Sequence, residues 1–95
     1  MIARYVVHFC GTVEGVGFRH TTARVAGRHD VAGYVRNLTD GRVLVVAEGE
    51  ARVLETFVRD IERQMAGCVR ETSIEKQAAT GEFTAQQGER FTVRH

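Results

Sequence analysis

Three glycines, one glutamate and one arginine lie close together near the start of the chain, in the stretch GTVEGVGFRH at residues 11–20. Glycine reaches positive φ without steric cost, so a glycine-rich loop can turn several backbone N–H groups toward one point and form a nest for an anion. Arg19 follows two residues after Gly17, and its planar guanidinium can donate two hydrogen bonds to one oxyanion. These residue types at this spacing favour a phosphate-binding loop.

The loop runs directly into a predicted helix, whose first N–H groups are unpaired and carry the positive end of the helix dipole. Arg19 in the first turn opposes that dipole, so its position is favourable when an anion lies between the two. A Walker A loop is excluded because no lysine follows the glycines, and the dinucleotide pattern GxGxxG fails because His20 takes the place of its third glycine. A glycine turn that only packs a strand against a helix remains the structural alternative.

Length and charge bound the remaining possibilities. With 95 residues the chain is expected to form a single domain, residues 1–95, and its 43% hydrophobic content is sufficient for one core. A formal net charge of +1 argues against a whole-surface footprint for nucleic acid or anionic membrane. From the N-terminal residues we expect neither a signal peptide nor a membrane span. Cys10 and Cys68 lack the spacing of a metal or redox motif. We therefore expect a cytoplasmic monomer with reduced thiols.

Hydrophobic periodicity and turn residues predict the order of the elements. The expected elements are a strand at 2–10, a helix at 18–29, strands at 31–37 and 42–48, a helix at 50–66, a weaker strand at 69–77 and a short last strand at 90–94. An Asp40-Gly41 pair indicates a hairpin turn between the second and third strands. The order β-α-β-β-α-β with one added strand predicts a ferredoxin-like α/β sandwich, in which two helices cover one face of an antiparallel sheet.

This architecture places the glycine loop next to Asn37. The first and second strands are joined by a helical crossover and run parallel, so their carboxyl ends lie at one edge of the sheet. The glycine loop follows the first strand, and Asn37 ends the second. We therefore expect a ligand site at that edge.

Other candidate groups are less suggestive of chemistry. His20 adjoins Arg19 but faces a different direction on a helix, so a surface position is expected. Cys10 is expected to pack in its strand. Glu48 and Glu50 are expected to be ordinary charges at a helix N-terminus. No set of residues has the spacing of a metal site, and neither metal nor organic cofactor is predicted.

Two segments together resemble the acylphosphatase family. VEGVGFR resembles the family's VQGVxFR loop, and GYVRNLTDGRV resembles its GxVxN segment followed by a turn and DG or RG. The downstream VAEGE and the second helix are also similar, so the resemblance covers essentially the whole chain. This sequence departs from the family pattern at Glu14, where glutamine is usual, and at Thr12, where a basic residue is frequent. We expect the Glu14 side chain to point away from the site and to contribute only its backbone.

The resemblance implies metal-independent hydrolysis of the carboxyl–phosphate bond of acyl phosphates, giving a carboxylate and inorganic phosphate. Arg19 would clamp the phosphate and Asn37 would hold the attacking water, while a phosphate oxygen of the substrate accepts the proton. The backbone amides expected to hold the phosphate belong to the loop residues Glu14, Gly15, Val16, Gly17 and Phe18.

Two alternatives belong to other functional classes. The first is a non-catalytic module that binds acyl or carbamoyl phosphate, because a similar motif occurs in domains of larger proteins; here it would be a stand-alone binder. The second is a ferredoxin-like RNA-binding domain, which needs aromatic residues on its central strands. The predicted strand RVLVVAE has none, so RNA binding is not favoured.

Overall fold

The computed structural model describes residues 1–83 and 90–94, which form one five-stranded sheet and two helices. The elements are β1 (Ile2–Gly11), α1 (Val16–Ala26), β2 (Val31–Asn37), β3 (Val43–Glu50), α2 (Ala51–Gln64), β4 (Val69–Ala78) and β5 (Phe91–Arg94). All seven elements expected from the sequence are present, in the expected order.

The strands lie side by side in the order β4-β1-β3-β2-β5. β3 pairs antiparallel with both β1 and β2, so β1 and β2 run parallel to each other, and β4 is antiparallel to β1. The ferredoxin-like prediction is confirmed. The added strand β5 pairs parallel with β2, however, and this makes the sheet mixed instead of wholly antiparallel.

One face of the sheet and both helices enclose the core. In β1 the alternating side chains of Tyr5, Val7 and Phe9 are buried, as the pattern predicts. The apolar stripe of α2 lies against them because its members recur every three or four positions. Its fully or almost fully buried residues are Leu54, Phe57, Val58 and Ile61. Each such side chain contributes about 1.5–3 kcal/mol when it leaves water.

The helix boundaries differ from the sequence-based expectation by a few residues. α1 begins at Val16 instead of 18, because Gly15 already turns the chain into the helix, and it ends at Ala26, before a run of turns. α2 also ends earlier than expected, at Gln64. Gly67 beyond it has φ +90°, as expected for the left-handed residue after a helix.

Glu48 lies inside β3 with only 6% of its surface exposed, so the expectation that it is an ordinary helix N-terminal charge is wrong. Glu50 does occupy the N-cap position of α2. The predicted strand at 42–48 extends to Glu50 in the structure, so Glu48 belongs to the strand and not to the start of α2.

Gly33 permits the close contact between β2 and β3. Its φ is +153°, and a Cβ added there would lie 1.9 Å from the backbone oxygen of Val46. We expect Gly33→Ala to lower the free energy of unfolding by about 3 kcal/mol or more, because backbone strain and overpacking act together. Chemical denaturation would measure the loss.

Gly17→Ala is the matched control for this substitution. Gly17 lies in α1, and an added Cβ would meet nothing within 4 Å. Its replacement should raise the free energy of unfolding by about 0.5–1 kcal/mol, since alanine favours helix over glycine. Equal stability of Gly33→Ala and the wild type would contradict the close approach of the two strands.

Candidate active site

The loop between β1 and α1 is fixed at its start and exposed at its tip. Thr12 donates its backbone N–H to the Cys68 carbonyl oxygen at 2.8 Å, and the Val13 side chain is completely buried. Glu14, Gly15 and Gly17 are exposed. The buried anchor therefore holds a short solvent-facing segment at the end of β1.

Gly15 directs the backbone into α1. It is the N-cap residue, with φ 108° and ψ 173°, which residues with a side chain rarely adopt. Within the described residues, no side chain caps the helix, and its first turn contains no acidic residue. The first-turn N–H groups and the positive end of the dipole thus have the arrangement of an anion site.

Phe18 and Arg19 occupy the first turn of this helix. Phe18 is 3% exposed and packs against Phe9 of β1, with ring centroids 5.5 Å apart. Arg19 is 7% exposed, and its Nη1 donates a hydrogen bond to the backbone carbonyl of Arg94 at 3.1 Å. The contact between α1 and the end of β5 was not anticipated from the sequence, in which Arg94 only belongs to a short apolar alternation.

Asn37 is the last residue of β2. Its side-chain oxygen Oδ1 is buried and has no hydrogen-bond partner in residues 1–83 and 90–94. Leaving a buried acceptor unsatisfied costs about 1–3 kcal/mol, so native proteins rarely keep one without a use. An oxygen in this condition is suited to accept a hydrogen bond from a water molecule.

The candidate residues converge on one edge of the sheet, as expected from the parallel strands. β1, β2 and β5 all point the same way, and their carboxyl ends carry the glycine loop, Asn37 and Arg94. Val16 supplies the first helical residue at this edge. The fold therefore places the glycine loop, the first turn of α1 with Arg19 and the end of β2 with Asn37 at one edge of the sheet.

The Glu14 side chain is exposed and lies against the turn between β2 and β3. Its carboxyl atoms are 3.6–3.8 Å from the position that a Cβ on Gly41 would occupy. The carboxylate therefore lies beside the turn that follows Asn37. The backbone of Glu14 remains in the loop that leads to the helix.

The other polar candidates form no second centre. His20 is exposed, and Cys10 and Cys68 are half-buried free thiols. Thr22 of α1 has a buried hydroxyl that finds no partner in the described part of the chain. That part contains no group of three or more metal-binding side chains. None of its helices has the length and apolar content needed to cross a membrane.

Comparison with known proteins bears directly on this site. The family model named acylphosphatase matches residues 5–93, which include the loop, Arg19 and Asn37. The chain belongs to the acylphosphatase family. Named acylphosphatases match it over most of its length, and their activity is the one that the site supports.

Curated acylphosphatases from bacteria and archaea share about 40% of the matched residues. The Thermotoga petrophila acylphosphatase is 38% identical over 86 residues, covering 90% of this chain and 89% of the relative. The Paenarthrobacter aurescens acylphosphatase is 41% identical over 81 residues, covering 84% and 86%. The Methanospirillum hungatei acylphosphatase is 42% identical over 67 residues, covering 70% and 74%.

Solved structures agree with the family assignment. The acylphosphatase from Bacillus subtilis is 29% identical, with a TM-score of 0.82, covering 98% of this chain and 99% of that structure. Full-length HypF, solved in a phosphate- and nucleotide-bound form, has a TM-score of 0.77 at 20% identity, and this chain covers 12% of it. The second likeness concerns the fold alone, and it shows that this fold also occurs as a small part of a long protein.

Proposed function

We propose that this chain hydrolyses the carboxyl–phosphate bond of small acyl phosphates and releases a carboxylate and inorganic phosphate. The observation that carries the proposal is the position of Arg19 beside an uncapped helix N-terminus, at the same sheet edge as Asn37. The membership of the chain in the acylphosphatase family supports the same reaction.

In this proposal the phosphate group binds at the start of α1. The backbone amides of residues 14–18 donate to its oxygens, and the guanidinium of Arg19 donates from the side. The anion then lies between the positive end of the helix dipole and the Arg19 cation. The dipole and the cation repel each other, but both attract the anion. Little of Arg19 is exposed, so its charge is weakly screened and attracts the phosphate strongly.

The carboxylate leaving group of an acyl phosphate explains why the proposed hydrolysis needs so few catalytic residues. A carboxylate is the base of an acid with a pKa of about 4, so it departs without taking up a proton. Phosphoryl transfer depends mainly on positioning and on stabilising the charge of the equatorial oxygens. Arg19 and the loop amides supply that positive charge, and no general acid is required.

Asn37 would position the attacking water. Its buried Oδ1 can accept a hydrogen bond from the water, but an amide is too weak a base to remove the proton. The proton passes to an oxygen of the substrate phosphate, which is the stronger base nearby. Asn37 thus contributes orientation, and the substrate completes the proton transfer.

The alternative is a module that binds an acyl or carbamoyl phosphate without hydrolysing it. The likeness to a small part of full-length HypF shows that this fold also occurs within larger chains. Both Arg19 and Asn37 are present here at one edge, and a module that only binds phosphate has no need for the second residue. The presence of both favours the enzyme.

An assay with an aryl acyl phosphate in the presence of a chelator tests the proposed reaction. We expect hydrolysis at a rate unchanged by an excess of chelator, because Arg19 and the amides provide the positive charge. The loss of the aryl acyl phosphate can be followed by its ultraviolet absorbance. Binding of inorganic phosphate without any hydrolysis would support the binding module instead.

We also propose that the protein works as a cytoplasmic monomer of one domain. The free thiols of Cys10 and Cys68 support the cytoplasmic assignment. Light scattering after size-exclusion chromatography would test the oligomeric state.

A further inference from the structure

The sheet face opposite the helices is partly covered by residues 79–83, which follow β4 and which we call the strap. Side chains that point to this face alternate with the core residues of β1, β2 and β3, and they include Arg4, Tyr34 and Glu48. The strap contacts all three. Its contacts extend from the middle of the sheet toward β5.

A buried carboxylate anchors the strap. Glu48 accepts hydrogen bonds from the backbone N–H and hydroxyl of Thr80 at 2.8 and 2.9 Å, and from the Gly81 N–H at 3.2 Å. Arg4 donates a further bond at 3.2 Å. Burial opposes the charged form, but the hydrogen bonds outweigh it and lower the pKa of Glu48 below its ordinary value. Glu48 is therefore charged near neutral pH, and both of its carboxylate oxygens accept hydrogen bonds.

Aromatic contacts continue from the strap to the end of β5. The ring of Phe83 meets the ring of Tyr34 edge-on, with centroids 5.8 Å apart. The guanidinium carbon of Arg94 lies 3.8 Å from the centroid of the same Tyr34 ring. This distance corresponds to direct stacking of a cation on an aromatic face.

The strand register explains why Arg94 leans toward Tyr34. Arg94 is directly opposite Arg36 in the parallel pair of β2 and β5, while Tyr34 is opposite Thr92. Like charges placed opposite each other repel, so the guanidinium of Arg94 is better placed diagonally over the tyrosine ring. Tyr34 thereby fixes the side chain of the last residue of β5.

The backbone of that same residue holds Arg19, since the Arg94 carbonyl accepts the hydrogen bond from Arg19 Nη1. Contacts thus run without a break from Phe83 through Tyr34 and Arg94 to the Arg19 guanidinium on the other side of the sheet. We propose that Tyr34 is a positioning residue for Arg19, because its ring holds the end of β5 in the place from which the Arg94 carbonyl orients the guanidinium. The inference rests on the proposed role of Arg19 in binding phosphate.

Tyr34→Leu and Tyr34→Phe separate this role from a general effect on stability. Leucine removes the aromatic face, whereas phenylalanine keeps both the stack with Arg94 and the contact with Phe83. We expect Tyr34→Leu to raise the KM for an aryl acyl phosphate and the inhibition constant of inorganic phosphate together, by about 5-fold, the size of one cation–π contact. We expect kcat to fall by less, because Arg19 binds phosphate before and during the reaction. Tyr34→Phe should stay within about 2-fold of the wild type.

Val6→Ala is the matched stability control, since Val6 lies on the same open face but on β1, away from β5. It should lower the free energy of unfolding while both constants stay at their wild-type values. Arg94→Leu provides a second test if Tyr34→Leu does not fold, because it removes the stacked cation and keeps the carbonyl. Arg94→Leu should raise the KM and the inhibition constant of inorganic phosphate as much as Tyr34→Leu does.

The inference would be overturned if Tyr34→Leu and Arg94→Leu both kept the wild-type KM and the wild-type inhibition constant of inorganic phosphate. An equal rise of the two constants in Val6→Ala would also overturn it. The dissociation constant of inorganic phosphate, measured by calorimetry, keeps this test independent of turnover. If the wild type binds phosphate but hydrolyses no acyl phosphate, the proposed reaction fails while the effect of Tyr34 on phosphate affinity can still be measured.

Discussion

Arg19→Ala will abolish phosphate binding and turnover together. Arg19 is 7% exposed and lies in the first turn of α1, whose N-terminus has no side-chain cap, so its replacement removes a largely buried cation beside the loop amides. Loss of a charged donor to a transferring phosphoryl group lowers turnover by about 10³-fold or more. The measurements are kcat/KM with an aryl acyl phosphate and the dissociation constant of inorganic phosphate.

Arg24→Ala is the matched control for this substitution. It removes the same charge from the same helix, but from an exposed position in the last turn. We expect near-wild-type binding and turnover in that variant. Arg19→Lys should fail almost as completely as Arg19→Ala, because a point charge cannot donate the paired hydrogen bonds of a guanidinium. Full activity in Arg19→Lys would show that charge alone is sufficient.

Asn37→Ala will separate binding from chemistry. The side-chain oxygen is a buried acceptor at the end of β2, and the proposed reaction uses it to orient water rather than to hold phosphate. We expect kcat to fall by about 10²-fold or more, while the dissociation constant of inorganic phosphate changes by less than about 3-fold. Steady-state kinetics and calorimetry on the same protein sample would establish the two effects.

Thr39→Ala controls for changes in the turn that follows Asn37. Thr39 is exposed and lies between β2 and β3, so its replacement should leave both binding and turnover close to the wild type. An equal loss of phosphate affinity in Asn37→Ala and Arg19→Ala would contradict the division of roles between the two residues.

The order and faces of the elements could be predicted because they depend on local patterns. The alternation of Tyr5, Val7 and Phe9 fixes which face of β1 is buried, and the spacing of Leu54, Phe57 and Ile61 does the same for α2. The edge that brings Asn37 to the glycine loop also followed from the sequence, because a helical crossover makes β1 and β2 parallel. The boundaries of α1 did not, since Gly15 begins the helix through a backbone angle that no side-chain pattern reveals.

The sequence alone thus determined the fold class, and it indicated the glycine loop and the two side chains proposed to act on phosphate and water. Only the tertiary structure decided that β5 joins β2 in parallel, that Arg94 holds Arg19, and that Glu48 anchors the strap. Arg19 and Arg94 are 75 positions apart, and Glu48 and Thr80 are 32 apart. Periodicity describes how neighbouring residues share a face, whereas these contacts depend on which distant segments the packed sheet brings together.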